Sequence, residues 1–394
     1  MEIGIDRDQS VSPKPSIRWG IVTTGMISQW FVEDIVLDRE NAPVAHKIQC
    51  IGGRDMSRCE DFANKYCPGA NPKLYDSYES VYNDPDVDVV YIGTPHAFHK
   101  QNMLDAIAAG KNILCEKAFT INAAEAKEVL EAAKAKNVYV HEAMWLRHRP
   151  LVHQLRKLLF DEKVIGDVYR TFADFALEID ISSLPPTSRY KDISLGAGTL
   201  LDTGIYSLTW AILTLDAGSP TNSERPLALG VQSHQEGIEV NTSILLHYPS
   251  TGRQGIITST TQSNHNARPF CTIWGTNGFI EVEGPAASMP LSFTVYPKVE
   301  GDANAGPLER KGGKKYDFPQ VGRGFIYEAD NTALDVLAGR KESAIMPWSE
   351  TLHVMEIMDS IRKQGDTFYP GHDEALEQST GPVMQVLQRL GPLS

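Results

Sequence analysis

The chain has 394 residues, with 37 basic and 50 acidic side chains and a formal net charge of −13. Hydrophobic residues at 42% and charged residues at 22% match an ordinary folded protein and exclude disorder as the main state. The negative balance repels phosphate backbones, and with no basic cluster to offset it nucleic acid is excluded as a partner; an anionic cofactor needs only a few local cations and backbone N–H groups. Residues 1–15 mix charges with prolines and hold no apolar run, so they read as a disordered tail rather than a signal peptide or anchor. The run IRWGIV (17–22) then stops at TTGM, and apolar residues recur at Ile27, Phe31, Ile35 and Val36 with helical spacing, which predicts strand, tight turn and helix. Further apolar runs at 48–51, 87–92, 112–115 and 138–140, separated by helical stretches, predict βαβ units and a parallel sheet. Such a sheet binds ligands beyond the carboxyl ends of its strands. Past residue 150 a helix (LVHQLRKLLF) leads into period-two segments, VYRTFADFALEI, SILLHYP, GIITSTTQ, FCTIWGT and GFIEVEG, which predict an antiparallel or mixed sheet. The expected domains are therefore 16–150 and 151–394. Two late helices, around EADNTALDVLAG and SETLHVMEIMDSIRKQ, are expected on one face of the second sheet, and GDANAGPLERKGGKK reads as a solvated loop.

Five cysteines without a CxxC pair or zinc-like histidine spacing imply no metal and a reducing compartment, so the cytoplasm is the expected location. The first turn reads Thr23-Thr24-Gly25-Met26-Ile27-Ser28. A dinucleotide turn bends tightly and brings backbone close to a pyrophosphate at a helix N-terminus. Here Thr23 and Ser28 stand at the first and third glycine positions and only Gly25 remains. At the end of the second strand an NAD site places an acid on the ribose, whereas an NADP site drops the acid and supplies arginine. That position holds Gly53, followed by Arg54 and, one turn on, Arg58, which favours NADP; aligned two residues later, Asp55 would be the ribose acid of an NAD site. Lys117 follows an apolar strand and would emerge over the cofactor crevice, though on spacing alone a lysine at the start of a loop is normally solvated. Asp202 and Tyr206, four apart, share a helix face and are either a substrate-facing pair or a cap with a core tyrosine.

Taken together, the glycine turn, Thr94-Pro95-His96 with His99, Glu116-Lys117, Trp145 to Arg147 after Glu142, and Gly198-x-x-x-Asp202-x-Gly204-x-Tyr206 resemble the glucose-fructose oxidoreductase, inositol dehydrogenase and rhizopine catabolism (Gfo/Idh/MocA) family. The likeness runs from Trp19 to about Tyr369. Alanine after Lys117 and tyrosine at 206 are similar to the branch of dimeric dihydrodiol dehydrogenase and fungal NADP-dependent D-xylose 1-dehydrogenase. The resemblance implies a Rossmann domain followed by an α+β domain with a large open, mostly antiparallel sheet through which the protein forms a homodimer. It also implies hydride transfer between NADP and a hydroxyl-bearing carbon of a sugar or diol, with Lys117, Tyr206 and Asp202 catalytic. Thr23, Thr24, Gly25, Met26, Ile27, Arg54, Arg58, Thr94, Pro95, His96, His99, Glu116 and Lys117 are then the cofactor side, and Trp145, Arg147, His148, Asp202 and Tyr206 the substrate side. A free tyrosine has a pKa of about 10, so a lysine ammonium within hydrogen-bond reach is expected to favour its anion as proton acceptor. His148 and Arg149 stand where the branch has two aromatics. A dehydrogenase of a specialised pathway, a non-catalytic NADP-sensing regulator and an NAD-dependent glycosidase are the alternatives on the same fold; retention of both Lys117 and Tyr206 argues against the regulator.

Overall fold

Near-continuous apolar runs suit strands covered on both faces, and the first half of the chain is built from them. The computed structural model describes residues 14–216, 224–264, 269–298 and 310–373. Residues 1–13 of the predicted tail, 301–309 of the predicted loop and 374–394 of the second domain lie outside the described residues. Strands β1 (Ser16–Val22), β2 (Ala45–Gly52), β3 (Lys73–Tyr75), β4 (Val89–Ile92), β5 (Asn112–Glu116) and β6 (Val140–Ala143) alternate with helices α1 (Met26–Ile35), α2 (Met56–Tyr66), α3 (Tyr78–Asn83), α4 (His99–Ala108) and α5 (Ala123–Lys136). All pair in parallel in the order β3-β2-β1-β4-β5-β6, the doubly wound arrangement whose strand order reverses beside β1 and β4. Every residue of β4 and β6 is buried. The short β3 has no apolar pattern, which is why periodicity misses it.

Pro150 opens α6 (Pro150–Arg156), where its fixed φ and missing N–H cost nothing. The second sheet contains β7 (Val168–Ala176), β8 (Leu227–Gln235), β9 (Ile238–Tyr248), β10 (Arg253–Thr260), β11 (Cys271–Gly275), β12 (Gly278–Glu283), β13 (Ser292–Pro297) and β14 (Lys314–Asp317), in the order β14-β13-β12-β11-β7-β10-β9-β8. Only β7 and β10 pair in parallel. Helix α7 (Ile205–Leu215), buried along its whole length, lies across β7 and β10 on the inner face. The opposite face is open and carries Leu227, Leu229, Val231 and Leu245 in solvent.

Of the two late helices, one meets the sequence expectation and one corrects it. Helix α9 (Trp348–Gln364) packs on β8, where Gly230 leaves room for Ile361, and it also packs on α5 of the first lobe. Helix α8 (Ile326–Leu337) packs against α1 and the Trp145–His148 turn instead of the second sheet. Arg39 of the first lobe makes two bonds of 2.7 Å to Asp330 of α8, and His46 adds a third at 2.8 Å. Asp34 at the end of α1 accepts the backbone N–H groups of Arg323, Gly324 and Phe325 at 2.7 to 2.9 Å. Hydrogen bonds to a charged group contribute roughly 1.5–3 kcal/mol each. Polar pairs of this kind carry no periodicity, so the hydropathy pattern alone assigns α8 to the wrong lobe.

Candidate active site

The turn after β1 has the shape a dinucleotide requires. Thr23 adopts φ +76°, a left-handed conformation rare for a β-branched residue and normal for the glycine it replaces. Gly25 sits at the N-cap of α1 with no side-chain cap, leaving the first helical N–H groups free, and a Cβ there would lie 3.8 Å from Thr23 Oγ1 and 4.0 Å from the Gly93 carbonyl. Buried Ser28 lies against Gly93, where any side chain would strike its Oγ at 2.5 Å. Past β2, Asp55 caps α2 by accepting the Arg58 N–H at 3.4 Å, so its carboxylate is engaged by the helix. Gly53 carries no acid, and Arg54 and Arg58 are exposed without an ion pair among the described residues. This set fits the pyrophosphate and the 2′-phosphate of a bound dinucleotide.

The loops after β4 and β5 meet over the same edge. Fully buried His99 joins them, its ring nitrogens 2.7 Å from the Thr94 carbonyl and 2.9 Å from that of Ala118. Pro95, His96, Arg189, Gly196, Gly198 and Asp202 line a cleft here. Burial, with the charge of Lys117 nearby, pulls the His96 imidazole down to about 3, so it is neutral. Lys117 extends from β5 across this cleft and donates to the Asp202 carbonyl at 2.6 Å and to Asp202 Oδ1 at 3.0 Å. The Arg189 guanidinium reaches Asp202 Oδ2 at 3.2 Å from the other side. Burial would raise the Asp202 carboxyl, yet the charges of Lys117 and Arg189 outweigh it and hold the group well below the usual carboxylate range.

Tyr206 is positioned by a π-helical turn, Leu200–Gly204, that runs into α7. Its hydroxyl accepts the Trp145 indole N–H at 2.5 Å, and the Lys117 ammonium lies 5.2 Å from its ring centroid. Lysine and tyrosine thus meet ammonium to ring, and the lysine's hydrogen bonds go to Asp202. The expected lowering of Tyr206 is not found: burial first, then the nearby Glu116 carboxyl, push it well above its ordinary value, so it stands as a phenol. Glu116, predicted on the cofactor side, turns into the core, where Tyr91 donates to Oε1 at 2.7 Å, and burial raises it to about 7.

Two predicted substrate contacts point elsewhere. Trp145–His148 is a 3₁₀ turn, which rotates each residue about 120° from the last, so Arg147 cannot share the direction of Trp145. Arg147 pairs with buried Glu350 and lines a separate cavity of about 180 Å³ with Arg156 and Asp216. His148 contacts His141 at 3.2 Å and Asn331 of α8 at 3.0 Å. Residues the sequence reading missed take their place. Phe175 of β7 lies 5.8 Å from Tyr206 ring to ring, and Phe325 stacks on Trp145 at 4.4 Å. Arg149 lies over Trp145 at 4.5 Å. The alternation of VYRTFADFALEI marks Phe175 as one face of a strand, and nothing in it distinguishes that face as the one toward the cleft.

Residues 17–144 match the model of an oxidoreductase family with an NAD-binding Rossmann fold, and residues 152–281 match the GFO/IDH/MocA C-terminal domain. A D-xylose 1-dehydrogenase (NADP(+)) of Hypocrea jecorina is 34% identical over 376 residues, covering 90% of this chain and 93% of the relative. A trans-1,2-dihydrobenzene-1,2-diol dehydrogenase of Xenopus tropicalis is 34% identical over 364 residues, covering 90% and 99%. Among solved structures, a 3-ketoreductase from Actinomadura kijaniata in complex with NADP shares the fold at a TM-score of 0.71 and 20% identity, covering 89% of this chain and 98% of that one. Levoglucosan dehydrogenase does so at 0.73 and 18%, covering 89% and 97%. The strand order of the first sheet, the open second sheet and these matches agree: the chain belongs to the Gfo/Idh/MocA family of oxidoreductases.

Proposed function

We propose that the protein is an NADP-dependent dehydrogenase that oxidises a CH–OH group, acting at C1 of a cyclic aldose such as D-xylose to give the lactone. The observation that carries this reading is the cluster of Lys117, Asp202, Arg189, Tyr206 and Trp145 gathered at the carboxyl ends of β4 and β5, beside the dinucleotide turn. When bound, NADP supplies the hydride acceptor. The α1 N-terminus would hold its pyrophosphate and Arg54 and Arg58 its 2′-phosphate, with Thr94, Pro95 and His96 beside the nicotinamide. Lys117, fixed by Asp202, presents an ammonium to the substrate hydroxyl, and Tyr206 carries the proton to or from that oxygen. In its phenol state Tyr206 is set to donate to a carbonyl; oxidation requires it as the anion. Trp145 and Phe175 set two aromatic rings beside Tyr206, which suit a sugar ring and equally a trans-dihydrodiol, the second reading and one shared with the named activity of relatives.

The open face of the second sheet supports a homodimer. Leu229, Leu245, Ile256 and Phe172 are register neighbours across β8, β9, β10 and β7 and form one apolar row on that face. Five free, buried cysteines suit a reducing cytoplasm, and among the described residues no helix is long and apolar enough to cross a membrane.

Purified protein supplied with NADP⁺ and a panel of pentoses, hexoses and trans-dihydrodiols is expected to raise reduced-nicotinamide absorbance, most with an aldopyranose. Tyr206→Phe should lower kcat by about 10²- to 10⁴-fold with cofactor affinity intact. Absence of turnover across the panel would sink the reading. Cofactor binding without turnover, unaltered by Lys117→Met, would select the sensor in its place.

A further inference from the structure

The site holds a cation that no ion pair neutralises. Arg149 is 4% exposed, and no carboxylate lies within 4.0 Å of it among the described residues. Its Nη2 donates to the Arg323 carbonyl, and its Nε has no partner. The chain makes room for it: Gly324 has φ +104°, and a side chain there would meet Arg149 Nη2 at 2.6 Å. The guanidinium lies 4.5 Å from the Trp145 ring centroid, and the Trp145 N–H donates to the Tyr206 hydroxyl at 2.5 Å. The other cation near Tyr206 is Lys117, whose hydrogen bonds go to Asp202.

We propose that Arg149 is a positioning residue for Tyr206: stacked on Trp145, it supplies through that indole the positive charge that supports the Tyr206 oxygen as it becomes an anion. This rests on the dehydrogenase reading above. In the oxidative direction the substrate C–H bond breaks with its electron pair passing to NADP⁺, and the O–H proton passes to the Tyr206 oxygen. That oxygen must first exist as the phenolate, and its surroundings oppose it: Glu116 from β5, Asp202 from its own turn and Glu328 from α8 all place carboxyls nearby. Arg149 is close enough for its charge to act on Tyr206, and it also faces Tyr327, Glu328 and Asp34. A cation over an indole face draws density from the ring and strengthens its N–H as a donor, so stack and hydrogen bond act on the same oxygen. An aromatic at this place, as in the resembling branch, would keep the stack and lose the charge.

The test compares wild type with Arg149→Phe and Arg149→Lys in the oxidative direction. In wild type kcat/KM rises with pH as Tyr206 ionises. Arg149→Phe should move this rise upward by about one pH unit, and Arg149→Lys should restore most of it. Tyrosinate difference spectra of each protein with NADP⁺, taken against its own Tyr206→Phe counterpart, read the same ionisation without turnover and should shift in parallel. If Arg149→Phe does not fold, Arg149→Gln is read in its place. A rate lowered equally at every pH with coincident spectra would reduce Arg149 to a packing residue and overturn the proposal, as would a lysine variant displaced as far as the phenylalanine one. Wild type without turnover overturns the dehydrogenase reading and this proposal with it; an active wild type whose variants do not shift overturns the proposal alone.

Discussion

Single side chains divide the work of the site between charges that are paired and charges that are not. Lys117 and Asp202 neutralise each other at 3.0 Å with Arg189 as a third member, whereas Arg54 and Arg58 stay exposed and without an ion pair among the described residues. Among the described residues the exposed pair has no ion-pair partner to lose, so its removal should be felt by the ligand. Arg54→Ala with Arg58→Ala is expected to raise KM for NADP⁺ by roughly 10- to 100-fold, the scale of a lost charge-assisted hydrogen bond or two, and to leave KM for NAD⁺ nearly unchanged. Steady-state kinetics with both cofactors checks this; an equal loss with NAD⁺ would return Asp55 to the role of ribose acid. At this scale the sequence was informative wherever a residue sits at the end of a strand, because the direction of the chain there is set: Thr23 and Gly25 follow β1, Thr94 follows β4 and Lys117 follows β5. It was uninformative in the 145–149 turn. Spacing places Arg147, His148 and Arg149 within one pocket's reach; in the structure the 3₁₀ turn sends Arg147 to Glu350, His148 meets Asn331, and Arg149, in the extended residue that ends the turn, lies back over Trp145.

Among the elements, the eight-stranded sheet has the plainest consequence. Its inner face is filled by α7 and α9, and its outer face exposes Leu227, Leu229 and Val231 at 62%, 61% and 69%. An apolar row that large on an edge strand invites pairing or aggregation unless a partner covers it. Leu229→Lys with Leu245→Glu should therefore shift the mass measured by light scattering from that of a dimer to the 43.5 kDa monomer, with the circular dichroism of the fold retained. A wild-type mass already at the monomer value would show that the face works uncovered. The central strands β7, β9, β10, β11 and β12 were legible from their alternation. Strands β8, β13 and β14 were not: β8 interrupts its pattern with Gly230, β13 is half-buried along much of its length, and β14 is four residues of mostly charged sequence.

For the molecule as a whole, buried acids and buried histidines set opposing responses to pH. Glu116, Glu142 and Glu239 are each raised by burial from an ordinary value near 4.5 to about 7. The folded state binds these protons more tightly than the unfolded chain. Their contribution to stability is therefore complete below about 4.5 and is lost as pH rises through about 7. Asp202 and Asp330 are shifted the opposite way by their cationic partners, so their contribution is present above the ordinary 3.8 and is lost on acidification. Buried His96 and His141, held neutral near 3, act in the opposite sense and lose their contribution as pH falls below the ordinary 6.5. The Tm of Glu239→Gln measured against wild type isolates one acid and should rise as pH is raised from about 5 to about 8, because only the wild-type carboxyl has to ionise in place. A difference that stays constant or narrows over that interval would contradict the assignment. Two sheets were legible in the sequence; the way they are fastened was not, since it depends on Asp34, Arg39 and Asn122 meeting partners far along the chain. The polypeptide leaves the first sheet after β6, enters the second at β7 and returns to the first through α8 and α9, so a cut between β6 and β7 divides the sheets and leaves the packing of α1 and α5 unfinished. The halves are not interchangeable cassettes. A chimera joining this nucleotide lobe to the second half of a relative would import foreign α8 and α9 helices against α1 and α5, and specificity would have to be transplanted residue by residue within the cleft.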